Sequence, residues 1–170
     1  APLSSRAVKF RKNVFQSVTS ENDYRNKMYE YLETKLDSTQ NIIIVADHLN
    51  HRIEKELQDR FPWAIKIRPE KTDYIIPELV DSLLIDSIPN KVILETQSFP
   101  LIASVISQFN AQNTRDRDVQ LFTTYRSNAY DNDNLSRKVL GGLHFTYSAG
   151  SKPLDRPIED LFIKGYIKRF

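Results

Sequence analysis

The chain of 170 residues and 19.8 kDa has the length of one domain with its own hydrophobic core. Its 40% hydrophobic and 27% charged residues are typical of a folded globular protein. The absence of cysteine excludes disulfide scaffolds, thiolate zinc sites, iron–sulfur clusters and cysteine nucleophiles. Apolar runs such as Ile42–Ala46 are far shorter than the ~20 residues of a membrane span, and we expect neither a span nor a secretory signal.

The formal net charge of +2 is unevenly distributed along the chain. Residues 1–12 contain four bases and no acid; these bases are Arg6, Lys9, Arg11 and Lys12. Residues 152–170 hold five bases against three acids, which leaves 15 bases and 19 acids between them. We therefore expect a single domain over residues 1–170 with a basic N-terminal arm at about 1–19. Such an arm either contacts phosphates or an acidic partner, or is a solvated terminus.

The first predicted element is an amphipathic helix that begins at Ser20. Ser20 and Asp23 have the S-x-x-D spacing of a capped helix start. The apolar residues that follow at helical spacing are Tyr24, Met28, Tyr31, Leu32 and Leu36. We expect this helix to pack on the protein along that face.

Three strand–helix units follow the first helix. Apolar or alternating runs predict the strands, and apolar residues at helical spacing predict the helices. The strands are expected at 42–46, 63–68 and 91–95, and the helices at 49–61, 77–89 and 99–109. The polar segment 110–118 predicts a surface loop before a fourth strand at 119–126.

The C-terminal part alternates polar and apolar residues with little helix. Gly141-Gly142 predicts a turn, and segments 143–147 and 161–170 predict strands. The fold class expected is α/β, with α+β as the alternative. We predict a mixed β-sheet flanked by helices, with strand–helix units first and antiparallel strands at the C-terminal end.

The motifs of common enzyme chemistry are absent from the sequence. Neither glycine-rich phosphate loop occurs. His48, His51 and Glu54 have spacings that place them on one helix face, as either a metal-ligand stripe or a solvated face, and we predict the solvated face. We accordingly predict no enzyme, no catalytic, cofactor-binding or metal-binding residue, and no cofactor.

Asp47 and Glu95 form the one pairing with a catalytic interpretation. Each acid follows a buried apolar strand and precedes a helix. If the strands are parallel, both carboxylates lie at the carboxyl edge of the sheet, where α/β enzymes place their chemistry. They are either an acid/base pair or a helix cap and a loop residue.

The last predicted strand has aromatic residues between lysines on one face. This pattern suits a subunit contact, an ordinary amphipathic edge or a nucleic-acid platform. We predict subunit contacts at this strand and at the polar loop 110–118; the residues are Arg115, Arg117, Phe162, Tyr166 and Phe170.

Over most of its length the chain resembles the tail-completion (tail-terminator) proteins of T4-like contractile-tailed bacteriophages. The resemblance lies in residues 5–15, 50–57, 115–122 and 157–170. It implies a structural protein that forms a ring, usually a homohexamer, caps the tail tube, ends its polymerisation and joins the tail to the neck.

The same resemblance implies the partners and the location. The partners would be further copies of the chain, the tail tube protein, and sheath-terminator and neck proteins, with room for DNA in the lumen and no membrane contact. The location would be the virion tail, assembled in the host cytoplasm, and otherwise the cytoplasm. Two other functions stay open: an α/β enzyme with carboxylates at the sheet edge, and a nucleic-acid-binding module that uses the basic arm.

Overall fold

The computed structural model describes residues 21–47, 51–69, 74–124 and 137–147. Its helices are α1 (Glu21–Lys35), α2 (His51–Arg60), α3 (Pro77–Leu83), α4 (Phe99–Gln112) and α5 (Arg137–Gly142). Its strands are β1 (Asn41–Ala46), β2 (Ile65–Ile67), β3 (Asn90–Glu95) and β4 (Val119–Thr123).

The four strands pair in the order β2-β1-β3-β4, and each neighbouring pair is parallel. A parallel pair needs a long crossover, and α2, α3 and α4 lie in the three crossovers of this sheet. The α/β class is therefore confirmed. The central strands β1 and β3 are buried along almost their whole length, as their continuous apolar runs predict.

Each face of the sheet has its own hydrophobic core. Ile42 and Ile44 of β1 point into a cluster with residues of α1 and α2. Ile43 and Val45 of the same strand point into the opposite cluster, which contains most of the buried side chains of α4. The alternation of side chains along a strand separates the two sets. We call these sides the α1/α2 face and the α3/α4 face.

Three predicted elements differ in detail from the structure. On α1 the tyrosine that packs inward is Tyr29, which is 1% exposed, and not Tyr31, which is 37% exposed. Helix α3 ends at Leu83, well before Pro89, and α4 continues to Gln112, three residues into the predicted loop. In all three places tertiary packing decides where apolar spacing alone is ambiguous.

The segment after Gly141-Gly142 does not form the predicted antiparallel strand. These glycines end helix α5 rather than form a turn between strands. Residues 143–146 then lie beside β4: Leu121 N donates to Leu143 O at 3.0 Å, and Thr146 N donates to Leu121 O at 2.9 Å. The resulting bridge between Phe122 and Thr146 is parallel. Helix α5 lies between β4 and segment 143–146, and this segment runs beside β4 in the same direction as β4.

A buried pair of asparagines ties together the amino edge of the sheet. Asn41 Nδ2 donates to Asn90 Oδ1 at 2.7 Å and also to Leu83 O at 2.7 Å. Asn90 in turn bonds to backbone groups of the α3–β3 connection and to Asp118 O. These two buried side chains thereby connect the starts of β1, β3 and β4.

Candidate functional site at the carboxyl edge of the sheet

The chain reverses its direction of travel across the sheet between β1 and β3. From β1 it crosses to β2 on one side, and it later returns to add β3 and β4 on the other side. In open α/β sheets ligands bind beyond the carboxyl ends of the strands at such a topological switch point. Asp47 directly follows β1; at this same edge Glu95 ends β3 and Thr96 follows it. The prediction that both acids lie at one edge is confirmed.

Asp47 and Thr96 form a buried pair at the switch point. Thr96 Oγ1 donates to Asp47 Oδ2 at 2.7 Å and accepts from Ser98 N at 3.0 Å. Asp47 N continues the β1–β3 ladder by donating to Glu95 O at 3.3 Å. Hydrogen bonds therefore fix Asp47 in place between the two strands.

Glu95 projects to the opposite side of the sheet, toward α1. It is two residues beyond Ile93, which packs in the core of the α1/α2 face. The register pairs Ala46 with Glu95 and Leu94 with Thr123, so Thr124 comes next to Glu95. One row across the sheet edge thus holds a small alanine, a carboxyl and a hydroxyl.

The buried polar side-chain atoms that lack a hydrogen-bond partner in the described ranges lie on four residues. They are Arg25 Nε, Tyr29 Oη, both carboxyl oxygens of Glu95, and Thr124 Oγ1. Arg25 and Tyr29 are four residues apart on α1 and so share the face that lies above the sheet. We call these four residues the carboxyl-edge cluster. Because buried polar groups are almost always paired, their concentration at one edge is unusual.

The buried position of Glu95 raises the pKa of its carboxyl, and neighbouring charges modify that shift. Burial raises the pKa of the Glu95 carboxyl to about 7; Arg25 acts to lower that pKa, and Asp47 and Glu56 act to raise it. Burial and the neighbouring Glu95 also raise the pKa of the Tyr29 hydroxyl. A carboxyl with a pKa near 7 gains or loses a proton close to physiological pH.

The two acids therefore do not form a pair that faces one substrate. Asp47 lies with Thr96, while Glu95 lies with the α1 residues on the other face. They still interact through space, since the Asp47 charge raises the pKa of Glu95. The chemistry this edge offers is a single buried carboxyl with hydroxyl and guanidinium neighbours.

A second buried acid, Glu54, turns out to be structural. The prediction of a solvated face is wrong for this residue, because its side chain is buried and accepts from Arg68 Nε and Nη2 at 2.9 and 2.6 Å. Lys66 Nζ lies at 3.4 Å and His51 Nδ1 at 3.7 Å from its carboxyl oxygens. Glu54 thus joins α2 to β2 and the residue after it. Among the described residues no three acids or histidines group as metal ligands.

Replacing Glu54 by glutamine should lower the free energy of unfolding by about 1 to 2 kcal/mol, because the Arg68 partner is partly exposed and water replaces some of the lost contact. Burial acts to raise the Glu54 pKa, but Arg68 and Lys66 outweigh it and lower the pKa. Its contribution is therefore present above the unfolded pKa and is lost as pH falls through the folded pKa. Urea denaturation of E54Q beside E33Q, which breaks an exposed pair with Arg60, measures the difference; equal losses would contradict a structural Glu54.

The residues predicted as subunit contacts differ in their surroundings. Arg117 Nε donates to Asp86 Oδ1 and Arg117 Nη1 donates to Asp81 Oδ1, each at 2.5 Å. These ion pairs hold the 114–117 turn against α3, and Arg115 is exposed on that turn. The remaining contact and arm residues lie outside the described ranges; they are Phe162, Tyr166, Phe170, Arg6, Lys9, Arg11 and Lys12.

Sequence reasoning found Glu95 but missed its neighbours. Neither Arg25 nor Tyr29 is among the residues predicted to pack along the apolar face of the first helix. One signal was present: Thr123 ends the apolar β4, and Thr124 comes next, at the level where Glu95 ends β3. That signal is usable only once the strand register is known.

Comparison of the chain with family models, with curated proteins and with solved structures finds no match. Within the described ranges, none of the helices has the length and apolar character needed to cross a bilayer. The resemblance to tail-completion proteins therefore stays a prediction.

Proposed function

We propose that this domain binds a small polar molecule at the carboxyl edge of its sheet, and that binding rather than catalysis is its function. The proposal rests on the place of the carboxyl-edge cluster beside the switch point between β1 and β3. Binding sites of small molecules combine apolar walls with a few convergent polar groups. Here the walls are strand and helix residues of the α1/α2 core, and the polar groups are those of the cluster.

The observation that carries the proposal is the set of unpaired atoms on Glu95, Tyr29 and Thr124. A buried polar group without a partner costs about 1–3 kcal/mol relative to a paired one. Several such groups at one point therefore destabilise the free protein, and a ligand that pairs with them recovers that energy. Elsewhere in the described ranges buried polar side chains have partners, as Asn90 and Glu54 illustrate.

A nitrogen-15 NMR screen of the full chain against small neutral, anionic and cationic polar compounds tests this proposal. We expect hits that shift the amide signals of Glu95, Thr96 and Thr124 together with those of α1. Tyr29→Phe removes only the buried hydroxyl and should weaken binding about fivefold, the usual effect of one lost hydrogen bond. The exposed Tyr31→Phe is the matched control. Hits that leave the edge signals unmoved, or that bind Tyr29→Phe as tightly as Tyr31→Phe, would overturn it.

Ring assembly, as in tail terminators, is the second candidate function. The observation that favours it is the 114–117 turn, where the Arg117 ion pairs fix a loop that exposes Arg115. A loop held in one conformation loses less entropy when a partner binds it. Light scattering at micromolar concentration should then report a hexamer that Arg115→Glu dissociates, whereas a strict monomer would contradict this function.

A further inference from the structure

We propose that the group bound at the carboxyl-edge cluster is a primary ammonium, with its three N–H donors accepted by Glu95, Tyr29 and Thr124. This inference rests on the function proposed above and names its ligand class. It depends on the match between the free acceptors of the cluster and the donors of one chemical group. A primary ammonium has three hydrogen-bond donors and no acceptor.

The positions of the acceptors follow from strand register and helix spacing. Thr124 directly follows β4 and lies one position beyond the Leu94–Thr123 pair, next to Glu95 at the end of β3. The alternation of side chains along the two strands then places Glu95 and Thr124 on the same face. Tyr29 comes down onto that face from α1, and the Glu95 charge acts on its hydroxyl. Ala46 completes the row on the β1 side with only a methyl group. Acceptors therefore converge from the sheet below and the helix above.

The charges around Glu95 favour a cation. Asp47 from the end of β1 and Glu56 from α2 both act on Glu95 as negative neighbours, and Arg25 from α1 acts as a positive one. Arg60 of α2, which also acts on Tyr29, is paired with Glu33. Glu56 is itself paired with Arg52 at 3.0 Å. Counting the ionised Glu95, these groups together still carry more negative than positive charge, which favours a positively charged ligand beside the carboxylate.

Without a cation, the cluster holds a proton in its place. Burial raises the pKa of Glu95 to about 7, so the empty site is largely protonated in mild acid. An ammonium stabilises the ionised carboxylate and releases that proton on binding. Its affinity should therefore rise about tenfold per pH unit below pH 7 and become constant above about pH 8.

An NMR titration of the full chain with methylammonium tests the inference, with tetramethylammonium, which has no N–H donor, at the same ionic strength. We expect millimolar binding of methylammonium, as befits its two non-hydrogen atoms, with shifts at Glu95 and Thr124 and the stated pH slope. Tetramethylammonium should cause no such shifts. Glu95→Gln should abolish binding, Thr124→Val and Tyr29→Phe should each weaken it about fivefold, and Tyr31→Phe should leave it unchanged.

Three results would overturn the assignment of an ammonium ligand. They are an affinity for methylammonium that does not vary between pH 5 and 8, equal binding of tetramethylammonium, and no binding of methylammonium by 100 mM. If Glu95→Gln fails to fold, the pH slope and the two hydroxyl variants decide the question. A neutral or anionic compound that shifts the same signals instead would contradict an ammonium ligand but would still support the proposed binding function. Absence of binding by every class of compound would overturn both.

Discussion

Replacing Asn90 by leucine should lower the free energy of unfolding by about 3 kcal/mol. Its Oδ1 accepts from Asn41 Nδ2 at 2.7 Å and from Ile85 N at 2.9 Å. Its Nδ2 donates to Ile85 O at 2.9 Å, to Ile88 O at 3.2 Å and to Asp118 O at 3.3 Å. Leucine fills a similar volume but pairs with none of these groups. The large effect comes from leaving buried backbone and amide groups unpaired.

Urea denaturation followed by circular dichroism measures this loss. Asn26→Ala, on the exposed side of α1, is the matched control and should change stability by less than about 0.5 kcal/mol. Asn41→Leu should lose less than Asn90→Leu, since Asn41 has fewer side-chain bonds. Equal stability of Asn90→Leu and the control would contradict a stabilising role of the Asn90 hydrogen bonds at the amino edge of the sheet.

The second large effect concerns the pH dependence of stability set by Glu95. Its pKa is raised from 4.5 to about 7 in the folded protein, chiefly by burial. As pH rises from 4.5 toward 7 the unfolded chain releases this proton while the folded protein keeps it, so stability falls. The contribution is full below pH 4.5 and is lost by about pH 7. Its size is about 3 kcal/mol, from the difference between the two pKa values.

Glu95→Gln keeps the shape of the side chain and removes the titration. We expect its stability, relative to the native protein, to increase by about 3 kcal/mol between pH 4.5 and pH 8. Glu30→Gln, an exposed acid of α1, should show no such relative increase. Chemical denaturation at four or five pH values measures both. Parallel pH profiles of the native protein and Glu95→Gln would contradict a raised pKa at this position.

Much of the fold could be predicted from sequence because strong patterns coincide with buried strands. The run Ile42–Ala46 and the run around Val92–Leu94 have no polar residue to expose, so both had to lie in the middle of a layered sheet. The helices between them follow from apolar spacing. Since a helix between two strands supplies the long crossover that parallel pairing needs, the shared edge of Asp47 and Glu95 could be predicted as well.

The rest depended on tertiary choices that local patterns do not encode. Tyr29 and Tyr31 are both aromatic and differ by 200° around α1, so only contact with the sheet decides which is buried. Gly141-Gly142 suits a turn or a helix end equally well. The segment 143–147 alternates like a strand, yet its direction depends on the path of α5.

For the site, the sequence located the acids and not their surroundings. The side of the sheet on which each acid lies depends on the register of β1 against β3. This register pairs Ala46 with Glu95 and lets Asp47 accept a hydrogen bond from Thr96. The partners on α1 depend on how that helix is rotated over the sheet. Neither the strand register nor the rotation of α1 can be read from the order of the residues.

The most direct test of this account is the titration of Glu95 itself. Carbon-13 NMR of the Glu95 side-chain carboxyl, assigned by comparison with Glu95→Gln, reports its pKa in the folded protein. A buried carboxyl without a partner at the switch point predicts a midpoint near 7. A midpoint at or below 4.5 would mean that Glu95 is solvated or paired, and would contradict a binding site at this edge of the sheet.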